Sequence, residues 1–174
     1  MIHQSCIYSS GHLTGVIAMI DRQRSATDMR INTQRFGRID VDPNDVLTFQ
    51  SGLPGLEDCR EWALLADASN DALGWLQSTN QGDIALAVVS PRRFVPHYQV
   101  RIPRSELTPL SISDIRQAQV VVVVGQNGTG LTLNLKAPIV INLEARTGRQ
   151  VVASGELPMQ YELSTNRPPL KKSA

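Results

Sequence analysis

Histidine, cysteine and aromatic residues are scarce in this chain, and each scarcity removes a class of function. The three histidines are His3, His12 and His97. None is spaced with Cys, Asp or Glu as metal ligands usually are, so no metal site is expected. The two cysteines, Cys6 and Cys59, form no Cys-x-x-Cys pair and no disulfide framework. A reducing cytoplasm is the default compartment. The longest early apolar run, Leu13 to Ile20, is broken by Thr14 and Gly15. It falls far short of the roughly 18–20 residues of a membrane span. It also lacks the basic lead-in and small-residue cleavage site of a secretory signal. No Gly-x-Ser-x-Gly elbow is present, and His97 by itself is a poor base for a serine nucleophile. Gly125–Gly130 is glycine-rich, but an alternating strand follows it. A phosphate cradle needs a helix there, so the segment reads as a hairpin. No catalytic or cofactor-binding constellation emerges, and the expectation is a protein that is not an enzyme.

What is present is β-forming material. Apolar residues make up 41% and charged residues 19% of the 174-residue chain, as in soluble globular proteins. With aromatics at 5%, the core must rest on Val, Ile and Leu. The net charge of +1 argues against generic polyanion binding. It hides an asymmetry: residues 1–87 hold 6 Lys/Arg against 11 Asp/Glu, and residues 88–174 hold 11 against 5. The halves either complement each other within one fold or leave opposed faces for a charged protein partner.

Regular patterning starts near Arg30. Residues 31–36 and 38–41 alternate with period two around Gly37. Asp42-Pro-Asn-Asp45 is turn chemistry, Val46–Phe49 a short strand, and Gln50–Gly55 a second turn. Glu57–Ala63 is expected to make a helical turn that feeds a strand over Trp62–Ala66. Gly74–Ser78 and Ile84–Val89 read as a hairpin around Thr79–Asp83, the second strand central and buried. Residues 98–102 are extended, and a short helix capped by Ser113 is expected over Asp114–Ala118. Gln119–Val124 is strongly β, and Asn127-Gly128 suits a tight hairpin. Leu131–Asn142 reads as two strands meeting at Pro138, and Arg149–Ser154 as a last strand. From Pro158 the pattern fades. The fold class is all-β: a small single-domain antiparallel β-barrel with one short helical segment. Residues 1–28 are expected to be a poorly ordered extension, with Met29 an alternative start. Residues 29–163 form the barrel and 164–174 a solvated tail.

Two further clusters compete for a functional reading. Arg92, Arg93, Arg101 and Arg104 interleave with Phe94, His97 and Tyr98. This is either a stacking platform for nucleic acid or a solvated face with its aromatics turned inward. The low net charge favours the second. Glu57, Asp58 and Glu61 are either paired carboxylates or an exposed turn. A general-acid pair needs a cleft and unequal environments, which the sequence does not show.

In order along the chain, several blocks resemble the flagellar assembly factor FliW family. They are Thr33-Gln-Arg-Phe-Gly37, Phe49-Gln-Ser-Gly-Leu-Pro-Gly-Leu-Glu57, Gly74-Trp-Leu-Gln-Ser78, and Val88-Val-Ser-Pro91 with Phe94 and Tyr98. Thr132–Asn142 and Arg146-Thr-Gly-Arg-Gln-Val151 complete the set. The likeness spans residues 31 to 163. It departs at Leu56, where the family commonly has Phe, at the segment before Ala85, which lacks an aromatic, and at residues 1–28, which have no counterpart. The resemblance implies a non-enzymatic cytoplasmic β-barrel that binds the RNA-binding regulator CsrA and also flagellin, relieving CsrA repression of flagellin translation. It implies no cofactor, no direct nucleic-acid contact, no membrane association and a monomer when free. Exposed turns present side chains without disturbing a core. The expected partner surface is therefore the Leu53-Pro54-Gly55 turn with Glu57, together with the hairpin from Gln77 to Asp83. Trp75, Leu76, Val88 and Ile139 are assigned to the core.

Overall fold

Short β-branched runs separated by turn residues dictate many short strands, and the computed structural model contains them. It describes residues 28–114 and 117–163. The expectations for residues 1–27 and 164–174, including His3, Cys6 and His12, lie outside the described residues. The strands are β1 Met29–Thr33, β2 Gly37–Val41, β3 Val46–Thr48, β4 Glu61–Ala66, β5 Leu73–Ser78 and β6 Ala85–Val89. They continue with β7 Ala118–Gln126, β8 Leu131–Leu133, β9 Ile139–Asn142, β10 Thr147–Gln150 and β11 Tyr161–Glu162. Among the described residues one short α-helix, α1, covers Arg104–Leu107.

Seven strands close a barrel in the order β3-β4-β5-β6-β7-β9-β10 and back to β3. Every seam is antiparallel except the last, where Thr147 of β10 runs parallel beside Thr48 of β3. β7 is long enough to serve two partners besides β6: Ala118–Val121 pairs with β9 and Val124–Gln126 with β8. β8 and β11 thus extend the sheet beyond the ring.

Alternation fixes the interior. Leu47, Phe49, Trp62, Leu64, Leu76, Val88, Val121, Ile139 and Ile141 fill it. Gly148 passes so close to Phe49 that a Cβ there would overlap the ring. The alternate residues point outward, yet many are buried too, because the barrel is covered from outside. The β1–β2 hairpin lays Ile31 and Val41 over Ala63, with Ile39 and Leu65 beside them. Leu107 and Leu110 cover Val120 and Val140. Tyr98, Val100, Leu133 and Leu135 cluster with Val89 and Val122. This cover is why Leu131–Asn142 carries so little polarity: β9 is buried along all four residues. Trp75, Leu76, Val88 and Ile139 are buried as expected.

Several local expectations change. Glu57–Ala63 makes no helical turn. Leu56 N–H bonds to Leu53 O and Cys59 N–H to Leu56 O, closing two successive turns before β4 begins. Leu53, Leu56 and Cys59 pack against the barrel core, and two tight turns bring all three side chains to it. The helix expected over Asp114–Ala118 runs through residues 115 and 116, which lie outside the described residues, although Ala118 already belongs to β7. The helical segment described is α1, followed by a 3₁₀ turn over Thr108–Leu110. Leu107 and Leu110, three residues apart, make the apolar stripe that seats this segment on the barrel. The β7–β8 turn takes four residues, with Asn127 Oδ1 accepting from the backbone of Thr129 and Gly130. β10 stops at Gln150, although Val151 and Ala153 keep bonding to Pro138 and Lys136. Tyr161–Glu162 pairs with β8 where the sequence pattern had faded. β6 is central, but Ala85, Leu86 and Ala87 are only half-buried.

Candidate partner-binding surface

Proline and glycine shape the first expected contact segment. Leu56 N–H bonds to Leu53 O at 2.8 Å, so Pro54 and Gly55 occupy the two central turn positions. Gly55 has φ +81°, the value a type II turn requires at its second central residue. Glu57 folds back and accepts a hydrogen bond from Gly55 N–H at 2.9 Å. That bond holds its carboxyl below the usual carboxylate range. Gly52 makes this possible: it has φ +65°, and a Cβ there would lie 2.6 Å from Glu57 Cα. Pro54, Gly55, Glu57 and Asp58 are exposed, whereas Leu53 is buried in the core.

The second expected segment abuts the first. Asn80 Nδ2 donates to Asp58 O at 3.2 Å, and Thr79 N–H to Glu61 O at 3.0 Å. The two turns therefore share one end of the barrel; Glu57, Asp58 and Asp83 on them, and Glu61 at the start of β4, are all exposed. Gln77 does not belong on this surface. It has no solvent exposure, and its Nε2 donates to the carbonyls of Ser78 and Ile84, both at 3.0 Å. It shapes the hairpin from within.

Asp83 borders a depression that no local sequence pattern signals, lined also by Gln34, Arg35, Phe36, Asp67, Trp75 and Ala85. The turn between β1 and β2 reaches over Trp75 here. The Arg35 guanidinium sits 3.6 Å from the Trp75 ring centroid, a cation–π stack. Phe36 meets the same ring edge-on, with centroids 5.7 Å apart. Trp75 Nε1 donates to Asp67 at 3.0 Å, which with Ser69 holds the Asp67 carboxyl at about 2. Gln34 N–H anchors the turn on Gly82 O at 2.9 Å.

The basic cluster looks less like a stacking platform in three dimensions. Tyr98 is buried and donates its hydroxyl proton to Leu135 O at 3.0 Å, and burial pushes its pKa up. Arg93 is bound to the carbonyl and carboxylate of Asp71. Arg101 bridges to Ser154 in β fashion, and Arg104 opens α1. Among the described residues no group of three His, Cys, Asp or Glu could hold a metal ion, and no helix is long and apolar enough to cross a membrane.

Comparison with known proteins agrees with this architecture. The model of the FliW protein family matches residues 30–163. The flagellar assembly factor FliW of Bdellovibrio bacteriovorus is 39% identical over 126 residues, covering 71% of this chain and 72% of that protein. The FliW of Thermoanaerobacter pseudethanolicus is 37% identical over 131 residues, covering 74% and 87%. A crystal structure of the flagellar assembly factor FliW superimposes with a TM-score of 0.72 at 25% identity, covering 80% of this chain and 99% of that one. With the barrel, the Gly-Leu-Pro-Gly turn and the Trp-Leu-Gln-Ser strand each in place, the chain belongs to the FliW family of flagellar assembly factors.

Proposed function

We propose that this protein is a binding protein of the cytoplasm that antagonises a CsrA-type translational regulator and also binds flagellin. On this reading it relieves CsrA repression of flagellin translation, and free flagellin returns CsrA to its RNA. The observation that carries it is family membership across residues 30–163, joined to an exposed carboxylate-bearing end at Glu57, Asp58, Glu61 and Asp83. The physics is competition of two proteins for one binder, with a coupling free energy between this protein and RNA on the regulator. The contact residues under this reading are Pro54, Gly55, Glu57 and Asp83, with Leu53 seating the turn. No chemistry and no cofactor is involved, and the free protein is a monomer.

The test is a titration of the purified chain into a CsrA-type regulator holding flagellin leader RNA. RNA affinity falls, and added flagellin restores it. A regulator that neither co-elutes with the chain nor loses RNA affinity refutes the reading. RNA retained by the chain alone at low salt, and lost on removing charge at Arg101 and Arg104, would instead show the basic-patch function.

A further inference from the structure

The barrel interior turns polar where β6 ends and β7 begins. Gln119 stands opposite Ile141 across the β7–β9 seam, and directly opposed residues of an antiparallel pair share a face. Ile141 belongs to the interior cluster, so Gln119 points into the barrel. Ser90 follows Val88 by two residues, and its backbone is still extended, with φ −69° and ψ 119°. Val88 is also an interior residue, so Ser90 points inward beside it. The register of Val88 with Val123 and Val89 with Val122, carried one step on, sets Ser90 opposite Val121 and diagonal to Gln119. Diagonal neighbours stand about 7–8 Å apart along the backbone, a span that a hydroxyl and an amide can close through one small molecule.

Both side chains are buried, at 3% and 5% exposure. Among the described residues nothing hydrogen-bonds to Ser90 Oγ or to Gln119 Oε1. Buried polar atoms without a protein partner are costly, and an ordered internal water is their usual partner. The neighbouring inward positions are small. Gly74 stands opposite Val88, and Ala66 opposite Gly74, so the row beside Ser90 carries one methyl group and one position with no side chain. From the two orphaned atoms, their common face and this small-residue row, we infer that the barrel binds a structural water between Ser90 and Gln119. The Ser90 hydroxyl donates to the water, and the water donates to Gln119 Oε1. The bridge fastens β6 to β7 beyond their last ladder pair, Val89–Val122. There Pro91 opens a 3₁₀ turn over Pro91–Arg93 and has no N–H with which to continue the ladder. Arg92, in that turn, has an interaction of its own and takes no part in the bridge. The site is independent of the partner binding proposed above.

The test is a high-resolution crystal structure of the full wild-type chain. It is expected to show one ordered water within hydrogen-bond distance of both Ser90 Oγ and Gln119 Oε1. A protein group bonded to either atom, or no water on the pair, overturns the inference. Oxygen-17 relaxation dispersion of the solvent, which counts slowly exchanging internal waters, checks the same site in solution. The double variant Ser90→Ala, Gln119→Met is expected to hold one such water fewer than the wild type. Thermal melts supply the coupling. Each single change is expected to lower the melting temperature by about 2–6 °C, and the double variant by less than the sum, because either change alone breaks the bridge. Additive losses or an unchanged water count overturn the inference as well. If the double variant does not fold, the wild-type crystal structure decides.

Discussion

Gln77 occupies an outward-facing position of β5, where a polar side chain ordinarily meets water, and it is sealed from solvent. Its amide nitrogen donates to the carbonyls of Ser78 and Ile84 and so ties the two sides of the β5–β6 hairpin together. Sequence pattern cannot distinguish this role from a partner contact, because both need a polar residue next to a turn. The chemistry separates them. Gln77→Glu turns a donor into an acceptor-only carboxylate facing carbonyl oxygens. It is expected to lower stability by about 2–3 kcal/mol at pH 7. The loss shrinks at pH 4, where a protonated carboxyl can donate again; urea denaturation at the two pH values measures it. Equal losses at both would show that the donor is immaterial.

At the scale of elements, the barrel closes through its weakest seam. β10 meets β3 at the single register pair Thr147–Thr48, supported by Thr48 N–H donating to Arg146 O at 2.8 Å. Arg146 holds φ +54°, a left-handed conformation that disfavours side chains. Glycine would sit there with less strain. The arginine side chain supplies what glycine lacks, an ion pair with Asp45 101 residues earlier. Its side chains are 28% and 16% exposed, so the pair is screened less than a surface one. A double-mutant cycle with Asp45→Asn and Arg146→Gly is expected to give a coupling of about 1 kcal/mol that falls with added salt. Arg146→Gly alone loses less than that coupling, because relief of backbone strain offsets part of it. Zero coupling would place seam stability in the backbone bonds alone.

For the whole molecule, the outer covering matters as much as the barrel. The β1–β2 hairpin, the α1 segment and the residues around Tyr98 each bury one outer face. The hairpin is held at its tip by Gln34 on Gly82 and by Arg35 and Phe36 on Trp75, whose indole N–H is bound to Asp67. Asp67 has a folded pKa of about 2 against an ordinary 3.8, lowered first by Trp75 and then by Ser69. A depressed carboxyl pKa stabilises the fold above the unfolded value and loses that contribution as pH falls through the folded value. Stability is therefore expected to decline between pH about 4 and about 2, with Trp75 fluorescence reporting it. Asp67→Asn should flatten that part of the profile; an unchanged acid profile would remove Asp67 from the linkage.

The sequence by itself determined the strands, the turns and the family. Period-two alternation, turn residues at Asp42–Asp45 and Pro54–Gly55, and the valine run at Val120–Val124 are local signals, written in adjacent residues. Tertiary structure alone decided which seam is parallel, which outward faces are covered, and where Gln77 and Arg35 lie. Tyr161–Glu162 became a strand only because β8 offered an edge, and Leu53 and Gln77 left the surface only because neighbouring segments closed over them. Such contacts join residues tens of positions apart, and a covered outward residue has the same strand pattern as an exposed one. Burial depends on what packs against the strand, and no local pattern records that.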